Sequence, residues 1–360
     1  MIQKEIRVGI VGADATASWA KAAHVPAIKG LPGLRLAAVA TRNEDSAREA
    51  AEAFGADRWF SDPFAMIRDE QVDLITVAVK VPAHCDLVLA ALNSGKAVYC
   101  EAPLGCNVRE AEEMASAAGS LHTAIGLQGR LNPGVRRAAE LLSSGKIGRP
   151  LYARIVSTTF GFGPELPSAY DYFNKATSGA NLLTIMEGHT LDAVEAVLGP
   201  IVELDANTEI RWPTVKLTDI GAESTRDTAD HVSISGKTQS GVLFRADIRG
   251  GVCPKDARFS LEIDGSAGWL SLTGDHPYGF QAGDLKVTSS IALPAPEKPA
   301  VSGGPMGAAI NVGEVYSHLV RDLRAGTYIT PGFAHAVHNA HLIQAVTRSA
   351  ERGAPLNVTM

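Results

Sequence analysis

The stretch Ile6-Arg7-Val8-Gly9-Ile10-Val11-Gly12-Ala13-Asp14 decides the fold. Its centre, Val8 to Val11, is an apolar run without polar alternation, the mark of a strand buried on both faces. Gly9 and Gly12 then lead into a turn. A nucleotide diphosphate is held by backbone N–H groups at the start of a helix, reached through a turn tight enough to exclude side chains. Glycines after the first strand of an α/β unit therefore point to a dinucleotide. The usual G-x-G-x-x-G is incomplete here, because Asp14 stands at the second glycine and Ala17 or Ser18 at the third.

Outward from this stretch, residues 34–40, 74–79, 97–100 and 123–127 repeat the short aliphatic run, and Ala-rich amphipathic segments such as 45–54 and 108–118 lie between them. This alternation predicts βαβ units and a doubly wound parallel sheet. From about residue 151 the runs become longer and alternate (152–158, 231–236, 242–248, 259–263, 269–273), which predicts an antiparallel sheet with one solvated face. Helices near 312–324 and 334–352 close the chain. The expected class is α/β: an N-terminal Rossmann domain over 1–125 and a C-terminal α+β domain with a large, mostly antiparallel open sheet over 126–360. A linking segment of about 126–150 ends at Gly148-Arg149-Pro150, and the C-terminal helices are expected to pack back. Residues 275–310, rich in Pro, Gly and Ala, read as a long surface loop.

The 360 residues include 33 Lys or Arg and 39 Asp or Glu, a net charge of 33 − 39 = −6. With 46% apolar content the chain has enough material for two cores. A pI near 5.9 and the lack of any basic block argue against direct binding of nucleic acid. Cys85, Cys100, Cys106 and Cys253 form no C-x-x-C pair and have no histidine at zinc-ligand spacing, so no metal site is expected and reduced thiols are. No apolar leader precedes the first strand, and no window approaches ~18 uncharged apolar residues. A cytoplasmic protein, neither secreted nor membrane-spanning, is the expectation.

The second strand ends at Thr41 and Arg42, where an acidic residue would accept hydrogen bonds from the adenosine ribose. With no carboxylate there and one guanidinium available, NAD and NADP both stay open. Together with the glycine turn, the segments Ala22-Ala23-His24-Val25-Pro26-Ala27-Ile28, Val72-Asp73-Leu74-Ile75, Cys100-Glu101-Ala102-Pro103 and Gly126-Leu127-Gln128-Gly129-Arg130 resemble the glucose-fructose oxidoreductase and inositol dehydrogenase family. The similarity covers nearly the whole chain. Residues 12–19, 101–106, 127–130 and 188–192 are most similar to the branch containing the yeast galactose-pathway corepressor.

The resemblance implies a Rossmann domain, an α/β second domain whose open sheet supports substrate pocket and oligomer contacts, and two motifs. One is E-K-P, with its Lys by the nicotinamide and the substrate hydroxyl; the other is D-x-x-x-H, supplying the acid-base group. Both are altered here: the Lys is Ala102, and the Asp four residues before His189 is Ile185. A positioned general base is worth roughly 10²–10⁴ in rate, so the usual chemistry needs replacement groups or is absent.

The candidate cofactor residues are Gly9, Gly12, Ala13, Asp14, Ala15, Thr16, Trp19, Thr41, Arg42, Ala78, Val79, Lys80, His84, Glu101, Ala102 and Gln128. His189, Tyr172 and Lys80 are the candidate catalytic residues, and Arg130, Tyr170, Tyr172 and His189 the candidate substrate contacts. His189 titrates near neutrality and suits a proton shuttle, the tyrosines could donate a phenolic proton or stack on a sugar, and Lys80 could replace the missing lysine. Asp192 is a possible orienting partner of His189, while His24 and His84 are expected to organise the first domain.

Three functions compete: an NAD(P)-dependent oxidoreductase of a sugar, cyclitol or related polyol; a redox-neutral NAD-dependent glycoside hydrolase; and a non-catalytic NAD(P)-binding regulator. The expected partners are a small sugar or glycoside and further copies of the chain as a homodimer or homotetramer, with no nucleic acid and no membrane.

Overall fold

The computed structural model describes residues 5–293, 296–302 and 307–358. The chain divides into two compact units, Met1–Gln128 with Pro299–Val337 and Gly129–Lys298 with His338–Met360.

In the first unit the strands β1 (Ile6–Val11), β2 (Leu34–Ala40), β3 (Arg58–Phe60), β4 (Leu74–Val77), β5 (Ala97–Cys100) and β6 (Thr123–Ile125) form a parallel sheet in the order β3-β2-β1-β4-β5-β6. This is the doubly wound order, whose ligand crevice lies at the carboxyl ends of the strands where the order reverses, between β1 and β4. Helices α1 (Val25–Gly30), α2 (Glu44–Phe54), α3 (Pro63–Arg68), α4 (His84–Asn93) and α5 (Val108–Ala118) make the crossovers. Side-chain caps set their starts: Asn43 accepts from Ser46 N at 2.9 Å for α2, and Asn107 from Glu110 N at 3.1 Å for α5. Every residue of β4 and β5 is buried, which is why these runs carry no polar alternation.

The second unit contains α6 (Pro133–Ser143), β7 (Pro150–Thr158), β8 (Glu165–Leu166), α7 (Gly188–Leu198), β9 (Ile201–Glu209), β10 (Thr214–Leu217), β11 (Ala222–Thr225), β12 (His231–Thr238), β13 (Leu243–Arg249), β14 (Phe259–Gly265), β15 (Gly268–Gly274) and β16 (Lys286–Ser289). With β17 (Leu356–Asn357) they build an eight-stranded sheet, β16-β15-β14-β7-β13-β12-β9-β17, in which only β7 and β13 pair in parallel, and a three-stranded sheet β11-β10-β8. One face of the large sheet is buried under α6 and α7, with Ile155, Leu191, Val194, Val232, Phe244 and Leu261 in one continuous core. The other face alternates outward, with Arg154, Glu262, Arg245, Ser233 and Trp269.

Helices α8 (Ala309–Ala325) and α9 (Phe333–Arg352) close the chain. The sequence reading gave everything after residue 125 to the second domain; the structure instead counts 299–337, and so all of α8, with the first unit. The expected loop over 275–310 holds β16, and its residues 294–295 and 303–306 lie outside the described ones, as do 1–4 of the segment before β1. Among the described residues no helix is long and apolar enough to cross a membrane, and no group of three His, Cys, Asp or Glu could hold a metal ion.

Candidate functional site

Gly12 ends β1 with φ +94°, and a Cβ there would lie 2.4 Å from the carbonyl oxygen of Ala78 and 2.9 Å from Val79. Only glycine lets the turn after β1 and the loop after β4 approach this closely. Gly9 has a different role: it lies inside β1, where a Cβ would meet Val72 at 2.9 Å and Met66 at 3.2 Å, so its bareness serves packing rather than a ligand.

In the turn, Asp14 accepts from the amides of Thr16 at 2.8 Å and Ala17 at 3.2 Å and from the Thr16 hydroxyl. These bonds, led by the Thr16 hydroxyl, hold its carboxyl below the usual range, with Arg42 adding charge attraction. The carboxylate thus braces the loop where a G-x-G-x-x-G turn would have only backbone. Ser18 then caps the helix start, accepting from Lys21 N at 3.1 Å. Ala13 is buried, Ala15 half-buried and Thr16 exposed. Thr41 bonds the Ser46 hydroxyl at 2.6 Å, and Arg42 beside it is exposed.

After β4, Lys80 is exposed and starts the turn that leads to His84. His84 is buried, with Nε2 3.1 Å from the Val79 carbonyl and Nδ1 3.1 and 3.2 Å from those of Pro103 and Leu104. Expected as a cofactor contact, its ring is instead spent on tying the loops after β4 and β5 together, and burial lowers its pKa. The bond between Ala102 and Pro103 is cis.

Glu101, at the carboxyl end of β5, has a side chain 15% exposed. Its carboxyl carbon occupies the space left by Gly126, where a Cβ would come within 2.9 Å. Its Oε1 lies 3.1 Å from Nε2 of the fully buried His24, an ion-pair distance without the alignment of a hydrogen bond. His24 Nδ1 in turn is 3.0 Å from the Tyr316 hydroxyl, which is 2.7 Å from the Thr76 hydroxyl. Trp19 Nε1 and Gln128 Oε1 are further buried atoms with no hydrogen-bond partner among the described residues. Three of the sequence-predicted cofactor residues, Trp19, Glu101 and Gln128, therefore leave a buried polar atom short of a hydrogen bond, as a site completed by a bound group does. With the Gly12 approach at the switch point, these residues fit a dinucleotide.

In the second unit, a five-residue π-turn (Leu183–Glu187) runs directly into α7. Asn181 caps it, accepting from Leu183 N at 3.0 Å and Thr184 N at 3.2 Å. Ile185 lies inside this turn, and His189, 4% exposed, follows in the first turn of α7. Arg130 is committed to Asp192, with Nη1 2.9 Å from its carboxylate and 3.2 Å from its carbonyl oxygen. The expected substrate contact is thus an ion pair between α7 and the segment leading to α6, and Asp192 is drawn to Arg130.

Tyr170 and Tyr172 lie on a short 3₁₀ helix (Ser168–Asn174), Tyr170 stacked on Phe173 with 5.8 Å between ring centres. Burial pushes the Tyr172 phenol up to about 12, so it remains a proton donor at neutral pH. The helix is held by Arg226, missed in the sequence, which donates to Asn174 Oδ1 at 3.0 Å, Phe162 O at 2.7 Å and Gly163 O at 2.8 Å and pairs with buried Asp230 at 3.1 Å.

Residues 6–127 match the profile of an oxidoreductase family with an NAD-binding Rossmann fold, and residues 133–274 match that of the Gal80p C-terminal domain. Over residues 6–127 the chain thus matches the glucose-fructose oxidoreductase, inositol dehydrogenase and MocA family. Among its relatives, the dehydrogenase aclE of Aspergillus oryzae is 34% identical over 61% of this chain and 62% of its own length. The galactose/lactose metabolism regulatory protein GAL80 of Kluyveromyces lactis is 31% identical over 76% of this chain and 64% of its own. The D-apiose dehydrogenase of Paraburkholderia graminis is 25% identical over 75% of this chain and 69% of its own. The chain thus spans under two thirds of the length of the first two relatives. Among solved structures, levoglucosan dehydrogenase with NADH and L-sorbose has a TM-score of 0.84 at 20% identity, covering 99% of this chain and 100% of that one. A Gal80p super-repressor mutant from Saccharomyces cerevisiae has 0.86 at 23% identity, covering 98% of both chains. These likenesses establish the family's fold for both units.

Proposed function

We propose that the protein is an NAD(P)-dependent oxidoreductase acting on a sugar, cyclitol or related polyol. The observation that carries this reading is that the first unit combines the close approach of Gly12 to Ala78 after β1 with buried polar atoms of Trp19, Glu101 and Gln128 that no described residue hydrogen-bonds. The nicotinamide, when bound, accepts a hydride. The turn of Gly12 to Thr16 would hold the diphosphate, and Arg42, just after β2, would admit the 2′-phosphate of NADP as well as the hydroxyl of NAD. His189 and Tyr172 would hold substrate hydroxyls, the imidazole as acceptor or donor and the protonated phenol as donor. Lys80, exposed after β4, would draw an anionic substrate.

Ala102 and Ile185, together with the Gal80p-like match over 133–274, favour a second reading, a cofactor-binding regulator. Proton NMR in D₂O with NAD⁺ or NADP⁺ and a panel of sugars and glycosides separates the readings. A keto product with reduced cofactor is expected. Glycoside cleavage with deuterium entry and no net reduction would establish a redox-neutral hydrolase, and cofactor binding with no change in any substrate a regulator.

The outward face of the large sheet supports self-association. Trp269, Tyr152 and Leu243 lie in one row across β15, β14, β7 and β13, through Asp264, and Trp269 and Leu243 are 46% and 55% exposed. A homodimer or homotetramer built on this row is part of the proposal.

A further inference from the structure

Thr76 on β4, Tyr316 on α8, His24 at the end of the π-turn Ala20–His24 and Glu101 after β5 form one line of polar side chains through the interior of the first unit. Thr76, His24 and Tyr316 are 0% exposed, and only Glu101 reaches the surface. Buried polar lines are costly compared with apolar packing, so a purely structural core at this place would do better with hydrocarbon. Either hydroxyl can donate in the Thr76–Tyr316 bond, and the His24 bond depends on the tautomer; in the arrangement where Thr76 donates to Tyr316 and Tyr316 to Nδ1, the imidazole carries its proton on Nε2, on the side of Glu101. Tyr99, on β5, packs edge-on against both His24 at 5.1 Å and Tyr316 at 4.9 Å, and burial holds the phenols of Tyr99 and Tyr316 in their neutral, donating form. The buried Cys100 thiol and, from α4, the buried His84 imidazole also face Glu101.

We propose that Glu101 is the general base for the substrate hydroxyl, taking over at the neighbouring position the task left open by Ala102, and that His24, fixed by Tyr316 and Thr76, is its positioning residue. This rests on the oxidoreductase reading. In the step, the carbinol C–H bond breaks and its hydride passes to the oxidised nicotinamide; the O–H bond breaks and its proton passes to Glu101; the carbonyl forms, and the proton leaves to solvent through the exposed edge of the carboxylate. The imperfect alignment of His24 and Glu101 is what a catalytic hydrogen bond shows before the complex tightens it.

The test uses the full chain with the most active polyol and cofactor from the panel. With cofactor saturating for each protein, as set by its own Kd read by protein fluorescence, Glu101→Gln should lower kcat by about 10²-fold or more. Tyr316→Phe keeps the ring and loses the link; it should lower kcat less and displace the acid limb of the kcat/KM profile, with KM little changed. In ¹⁵N spectra of the histidines, the His24 ring should carry its proton on Nε2 and shift in Glu101→Gln. Unchanged kcat in Glu101→Gln, a Tyr316→Phe profile superimposable on the parent, or a His24 signal indifferent to Glu101→Gln would each overturn the assignment. Absence of turnover in the parent chain would overturn the functional reading instead, while the ¹⁵N result still reports the pair.

Discussion

Glu187 is 0% exposed, and neither carboxyl oxygen has a hydrogen-bond partner among the described residues. Burial pushes its pKa well above the usual carboxylate range, so the folded protein holds it protonated. Because the folded pKa is the higher one, its contribution to stability is greatest below the ordinary glutamate range and is lost as pH rises from there through the raised value. Denaturant unfolding across pH should show this fall, and Glu187→Gln should flatten it. At neutral pH the variant should be the more stable of the two, because its folding no longer requires a buried carboxyl to take up a proton. A profile of equal slope in both proteins would mean another group carries the dependence. Two residues before His189, Glu187 was illegible from sequence, since a single Glu reads as surface and burial is a property of the neighbours. Gly12 and Ala102 lie at the other extreme: each was legible because a motif fixes what should stand there.

Both candidate site histidines adjoin a π-turn, His24 ending Ala20–His24 and His189 following Leu183–Glu187. Such turns are rare and concentrate at functional sites, yet five residues leave no hydrophobic period to read in the sequence. The long strand β9 escaped for a related reason: the register shift opposite Lys237 and Thr238 spaces its buried residues Ile201, Leu204 and Ala206 unevenly, which breaks the two-residue alternation. The 3₁₀ helix bearing the tyrosines depends on Arg226, whose buried guanidinium spans Phe162, Gly163, Asn174 and Asp230. Removing one member of a buried ion pair costs about 3–5 kcal/mol. Arg226→Met should show that loss in thermal or denaturant unfolding, along with faster amide exchange in 168–174 than elsewhere in the second unit. A loss below about 1 kcal/mol would mean the loop is held by its aromatic contacts alone, since surface-like pairs are worth that little.

On the scale of the whole chain, the parallel order of the first sheet and the antiparallel character of the second were legible from the change in alternation near residue 151. The discontinuity of the first unit was not, because α8 is an amphipathic helix whose pattern does not say which sheet it covers. The outward row of Trp269, Tyr152 and Leu243 makes a prediction at this scale. Light scattering should give a mass of two or four chains, and Trp269→Glu should lower it without unfolding the protein. A monomer in the parent, or a Trp269→Glu oligomer of unchanged mass, would remove this surface from the assembly.

The insertion of Gly129–Lys298 within the first unit has a consequence for the order of synthesis. β1 to β6 leave the ribosome long before Tyr316, so Thr76 and His24 wait for their partner while β7 to β16 are made. At about 5–20 residues per second that interval is on the order of ten seconds or more. The first unit to be started is therefore completed only at Val337, with the second closing just after it over His338–Met360, and the segment that completes the first includes the residue that holds His24 beside Glu101.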